Sequence, residues 1–188
     1  MPPRLVSDTE LVDRLTDLFR NEGFEASSLN EIAKATGLQK SSLYHRFPGG
    51  KEQMAADVAA AVTDRFATEI LAPLFTEAPA TERIRAVGRN LDAFYEGGER
   101  RCLLDVLSVG HPGSAASAAL AGAATGWIDV FATVARGAGA RPKVAIARAQ
   151  DAVAGIEGAL VLARVTGDTA PFARAIARLP ELLLGRPT

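Results

Sequence analysis

Between Met54 and Ile70 an apolar side chain returns every fourth residue, at Met54, Val58, Val62, Phe66 and Ile70, until Pro73 interrupts the series. Only an α-helix lines up that spacing on one face, and a proline cannot continue it. The same period marks Leu11, Leu15, Leu18 and Phe19, then Ile84, Val87, Leu91, Phe94 and Tyr95, then Leu120, Trp127, Val130, Phe131 and Val134. It returns at Ala149, Val153, Ile156, Leu160 and Ala163, and at Phe172, Ile176, Leu179 and Leu183. Strict alternation dominates nowhere, so the chain is expected to be all-α with about nine helices. A hydrophobic content of 48% over 188 residues is ample for a packed core.

Local stop and start signals divide the stripes. Ser7 with Glu10 and Ser28 with Glu31 have capping-box spacing, and Gly23 and Gly37 close the helices that follow. Between Gly37 and Pro48 there is room for two helical turns, with Leu43 and Phe47 inward and the polar residues outward. A fourth helix is expected to run about six turns from Lys51. The fifth closes at Gly97-Gly98, a short sixth precedes His111-Pro112-Gly113, and a break from Gly137 to Pro142 separates the seventh from the eighth. Three short helices thus precede longer ones, which places a small domain at 1–50 and a larger one at 51–188.

Several function classes are excluded. One cysteine, Cys102, cannot close an internal disulfide, and two histidines beside it leave no zinc cluster. No Gly-rich loop ends in G-K-[ST] and no serine sits on a strand elbow, so neither an enzyme nor a resident metal or cofactor is expected. The start MPPRLVSDTE lacks an apolar signal core, and no uninterrupted apolar run approaches the roughly 20 residues of a membrane span. A cytoplasmic protein with no membrane partner is expected.

Residues 38–51 read LQKSSLYHRFPGGK, and from Lys34 to Lys51 there is no acid although the formal net charge is −1. Two short helices joined by a glycine-containing turn, the second with a polar outer face, form the pattern of a helix-turn-helix. A helix set in the major groove lies between two walls of phosphate, where cations and hydroxyls are favoured and a carboxylate is repelled. The acid-free run has that chemistry.

The stretch LFRNEGFEASSLNEIAKATGLQKSSLYHRFPGGKEQMA resembles the DNA-binding domain of the TetR family of one-component regulators. The resemblance rests on Gly23-Phe24, Ser27-Ser28-Leu29, Ile32-Ala33, Gly37-Leu38, Lys40, Leu43-Tyr44-His45, Phe47 and Lys51-Glu52. It implies that Ser28, Tyr44 and Lys51 meet phosphates of double-stranded DNA, that Lys40, Ser41, Ser42 and His45 reach base edges, and that Arg46 does either. Gln39 departs from the serine that usually caps the third helix, Ser41 and Arg46 are unusual, and Pro48-Gly49-Gly50 is one residue longer than the usual link.

The resemblance also implies a helical second domain that binds a small-molecule inducer and forms a homodimer on a palindromic operator, most simply as a repressor. In such proteins helices four to seven enclose the ligand, which makes Phe66, Leu91, Phe94, Tyr95, Leu103, Leu107, Trp127 and Phe131 the candidate lining of a site for an apolar or aromatic molecule. The last two helices pair between subunits. Gly155, Ile156, Ala159, Leu160, Phe172, Ile176 and Leu179 are the expected interface.

Overall fold

The structure, a computed structural model, describes residues 6–185. Ser7 opens the first helix by accepting the Glu10 amide at 3.1 Å, and α1 (Asp8–Glu22) follows. At Ser28 the reciprocal box is complete: the hydroxyl accepts Glu31 N–H at 3.3 Å while the Glu31 carboxylate accepts Ser28 N–H at 2.6 Å. That second bond is the main reason the Glu31 carboxyl is held below its ordinary range. α2 (Leu29–Thr36) then runs to Gly37, whose left-handed φ of 71° lets its amide close back on Ala33 O.

α3 (Lys40–Arg46) has the weakest start. Gln39 has the extended backbone of an N-cap, with φ −72° and ψ 151°, but its side chain caps nothing. Serine there carries a hydroxyl short enough to accept from the first turn, so Gln39→Ser is expected to stabilise the protein by about 1 kcal/mol. Thermal unfolding should rise by about 2–4 °C for a chain of this length. An unchanged midpoint would mean that the start of α3 does not limit stability.

α4 (Gly50–Arg65) ends sooner than the stripe to Ile70 suggests. Residues Phe66–Ile70 form a π turn closed by Leu71 N–H on Phe66 O at 3.2 Å, and Ala72–Phe75 form a tight 3₁₀ turn. The cause is Pro73, whose ring clashes with the carbonyl four residues back, that of Glu69. The freed carbonyl accepts the Asn90 side-chain amide at 2.8 Å. Next come α5 (Ala80–Phe94), a 3₁₀ turn at Glu96–Gly98, α6 (Leu103–Val109), α7 (Ser114–Gly137) and α8 (Pro142–Thr166). The ninth helix of the sequence pattern is broken in two, α9 (Ala170–Ala177) and α10 (Leu179–Leu184), because Pro180 cannot supply the amide that would bond Ile176 O. No strand occurs among the described residues, and the all-α expectation holds.

Packing divides the chain differently from a cut at residue 50. One compact unit holds the chain up to Asp64 together with Leu103–Gly122; the other holds Arg65–Cys102 and the chain from Ala123 on. In the first, Leu11, Leu15, Phe19, Ile32, Leu43 and Phe47 share a core with Met54 and Val58 of α4 and with Leu103, Leu107 and Ala116 of α6 and α7. The second buries Ile70, Ile84, Leu91, Phe131 and Phe172 fully. There Gly98, at φ 101°, lies against Phe172 so closely that a β-carbon would sit 3.0 Å from the ring. Among the described residues α7 alone is long and apolar enough by composition to cross a membrane, with mean hydropathy 1.4. Its alanines raise that mean, while its largest side chains, Trp127 and Phe131, are buried in protein.

Candidate nucleic-acid interface and effector site

α3 turns two faces apart. Leu43 and Phe47 are buried, and Lys40, Ser41, Ser42, Tyr44 and His45 are exposed, the tyrosine at 50% despite its ring. The outer face therefore presents the Lys40 ammonium, the His45 imidazole and three hydroxyls, a set that can donate to phosphates and to base edges. Ser28 is exposed at the N-terminus of α2, with its oxygen accepting Glu31 N–H.

Two of the expected DNA contacts are used inside the protein. Arg46 donates to Asp8 Oδ1 at 2.6 Å and to Val6 O at 3.0 Å, and only 15% of its side chain is exposed. It fastens the end of α3 to the start of α1. The reason is helical geometry: residue 46 stands three places after the buried Leu43 and so falls beside the inward face. Lys51 lies 4.2 Å over the Phe24 ring and donates to Phe24 O at 2.7 Å and to Glu25 O at 3.4 Å. It secures the turn between α1 and α2.

The run that is acid-free in sequence is not acid-free in space. Glu25 stands near Lys51, and it accepts the His111 backbone N–H at 2.9 Å, a bond that is the first cause of its lowered carboxyl pKa. His111 thus lies in the same unit as the helix-turn-helix, with its side chain 97% exposed.

In the second unit the aromatic residues connect. Phe66 lies 4.7 Å from Trp127 and 5.8 Å from Phe94 between ring centroids, Trp127 lies 5.9 Å from Phe131, and Phe94 lies 5.0 Å from Tyr95. Five of the eight expected ligand residues therefore form one cluster, and Leu91 is fully buried in the same unit. Leu103 and Leu107 are packed in the core of the first unit, and periodicity does not say which core a stripe enters.

A polar chain adjoins the rings. The Tyr95 hydroxyl donates to Cys102 Sγ at 3.4 Å, and the Cys102 thiol donates to Glu157 Oε1 at 3.2 Å. Glu157 was missed; its signal is an acid inside the small and apolar stretch GIEGALVLA. Among the described residues no group of three potential ligands could hold a metal ion.

The expected dimer residues face mostly inward. Ile156, Ala159, Leu160, Phe172, Ile176 and Leu179 are buried within their own chain, and Gly155 alone of the seven is exposed. Gly155 and Ala159 of that set, together with Gly158 and Leu162 of α8, Pro171 and Ala175 of α9 and Leu182 of α10, line an open apolar groove that also holds Asp151, Arg174 and Arg178. α8 is apolar on both sides, so the spacing of its alanines and leucines cannot separate the face that meets its own core from the face that does not.

Known proteins share this fold. Residues 11–58 match bacterial regulatory proteins of the tetR family, and residues 80–178 match the C-terminal domain of LmrA/YxaF-like transcriptional regulators. The HTH-type transcriptional regulator LmrA of Bacillus subtilis is 43% identical over 51 residues, which are 27% of each chain. The match to YxaF of the same organism likewise spans only 30% of that relative. Rv0196 of Mycobacterium tuberculosis, an uncharacterized HTH-type transcriptional regulator, is 27% identical over 89% of both chains. A TetR transcriptional regulator from Legionella pneumophila superposes with a TM-score of 0.83 at 20% identity, over 96% of this chain and 98% of that one. CifR, solved as a cysteine mutant with a 26-base-pair double-strand operator, gives 0.77 at 23% identity over 98% and 100%. With a capped helix-turn-helix matched at its start and a regulator domain matched over just over half of its length, the chain belongs to the TetR family of transcriptional regulators, DNA-binding proteins rather than enzymes.

Proposed function

We propose that this protein is a ligand-released repressor that binds a palindromic operator as a homodimer. The observation that carries the reading is α3, which buries Leu43 and Phe47 and turns Lys40, Ser41, Ser42, Tyr44 and His45 to solvent without an acid on the helix. One seven-residue helix reads few bases, whereas two held about 34 Å apart by a two-fold axis read a symmetric site. Support for repression comes from a relative, the HTH-type transcriptional repressor ComR of Escherichia coli, 34% identical over 80 residues. CifR, a structural neighbour, was solved on operator DNA.

The groove on α8, α9 and α10 is the proposed dimer face. Leu162 is 51% exposed there, and a β-carbon added at Gly155 or Gly158 would meet nothing within 4 Å, so a second helix has room to approach. Asp151 and the two arginines of the groove give a self-pairing face opposite charges to match. The proposed effector site is the ring cluster of the second unit. A ligand that favours a dimer with the wrong spacing of recognition helices must weaken operator binding by the factor with which operator weakens ligand binding, about 5–150-fold. The setting is the cytoplasm, where operator and inducer meet.

The test is fluorescence anisotropy with DNA from the region upstream of the protein's own gene. Tyr44→Ala is expected to weaken binding to all sequences alike. Lys40→Ala is expected to change base preference, at about 1–3 kcal/mol for each lost base contact. A folded Lys40→Ala, Tyr44→Ala double variant that binds as the unmodified protein does would exclude α3 as the reading helix.

A further inference from the structure

Trp127 is 4% exposed, and its indole Nε1–H has no hydrogen-bond acceptor among the described residues. A donor that deep and unpaired is destabilising, and native structures rarely keep one without a use. Its neighbours are aromatic. Phe66 lies 4.7 Å from the indole and Phe131 lies 5.9 Å away, while Phe94 stands edge-on to Phe66 at 88°. Phe66 and Phe94 are partly exposed, so the cluster is reachable at that side. Phe66 also opens the π turn Phe66–Ile70, a rare backbone form that is often found at functional sites.

Resting on the effector reading above, we propose that Trp127 is a specificity-determining donor, and that the ligand is a flat, neutral aromatic molecule whose carbonyl oxygen accepts the indole N–H. Phe66 and Phe94 supply faces and edges for the ring system, which binds through area and stacking. The indole N–H then selects among such rings. A site with a buried donor favours the analogue that carries the acceptor, because the analogue without it leaves the donor unpaired. The Tyr95 hydroxyl does not compete for the carbonyl, since it is directed to Cys102 Sγ.

9-Fluorenone and fluorene differ by one carbonyl in place of a methylene and serve as matched probes. By calorimetry the unmodified protein is expected to bind fluorenone about three- to tenfold more tightly than fluorene, the range that one net hydrogen bond supplies. In Trp127→Phe, which keeps a ring and removes the donor, the ratio is expected to fall to about one. Equal affinities in the unmodified protein, or a ratio that survives in the variant, would overturn the assignment. A second measurement needs no variant. Trp127 is the only tryptophan, so the ¹⁵N-labelled protein gives a single indole cross-peak, which fluorenone should move to lower field and fluorene should not. If both probes bind equally and release operator, the effector reading stands and the donor role of Trp127 fails. If neither binds to protein that still holds operator, the aromatic effector fails with it.

Discussion

Ile156→Arg is expected to unfold the second unit, whereas Leu162→Arg, on the same helix, is expected to leave it folded and to split the proposed dimer. Ile156 is fully buried within its own chain, and Leu162 is 51% exposed in the groove. A guanidinium at 156 has no partner and no water. An uncompensated buried charge costs about 3–5 kcal/mol, a large part of the about 5–15 kcal/mol that holds a domain together. At 162 the same charge is solvated in the monomer, and the penalty arises only when a second copy covers it. Circular-dichroism melting should show early unfolding for Ile156→Arg alone, and analytical ultracentrifugation should show a folded monomer for Leu162→Arg alone. A Leu162→Arg protein that remains dimeric would move the interface elsewhere. A folded, monomeric Ile156→Arg protein would mean that the inward stripe is the interface.

The second large effect is expected at α3 from a residue on its inner face. Leu43 is fully buried and, with Phe47, is what seats α3 on the first core, since Gln39 provides no side-chain cap. Leu43→Ala removes three methyl-sized groups from a packed site and is expected to cost about 2–5 kcal/mol. Seven residues cannot hold a helix in water without such packing, so operator affinity should be lost along with stability. Lys40→Ala, on the outer face, should change affinity and leave stability within about 0.5 kcal/mol. Urea unfolding paired with anisotropy on the same operator separates the two effects. Full operator affinity in Leu43→Ala at unchanged stability would contradict the packing account of α3.

The same contrast explains why the placement of some candidate residues was legible and that of others was not. Lys40, Ser41, Ser42, Tyr44 and His45 could be read because a short helix with Leu43 and Phe47 inward has only one other side. Arg46 and Lys51 belong to the same cationic run, yet each donates to carbonyls from the first 25 residues, Val6 O for one and Phe24 O and Glu25 O for the other. A cation's composition does not say whether its partner is a phosphate or a turn of its own chain. Leu103 and Leu107 show the matching ambiguity for apolar residues, since their stripe fits either core and the first core takes them.

What the sequence by itself determined is the local structure. The all-α class, the start of α1 at Ser7, the capped α2 between Ser28 and Gly37, and the inward pair on α3 all depend on hydrogen bonds and side-chain directions within about four residues along the chain. Tertiary structure decided the rest: the turn of α6 into the first core, the seating of Arg46 on Asp8, and the burial of Ile156 and Leu160 against their own chain while Gly158 and Leu162 stay outside. Even at the prolines the split is visible. Pro73 and Pro180 announce a break, but the π turn at Phe66–Ile70 is completed by Asn90, 21 residues beyond Glu69, whose side-chain amide takes the carbonyl that the proline frees. A period of 3.6 records which side chains leave water; which partner they leave it for depends on segments distant in sequence, and that information exists only when the segments are packed.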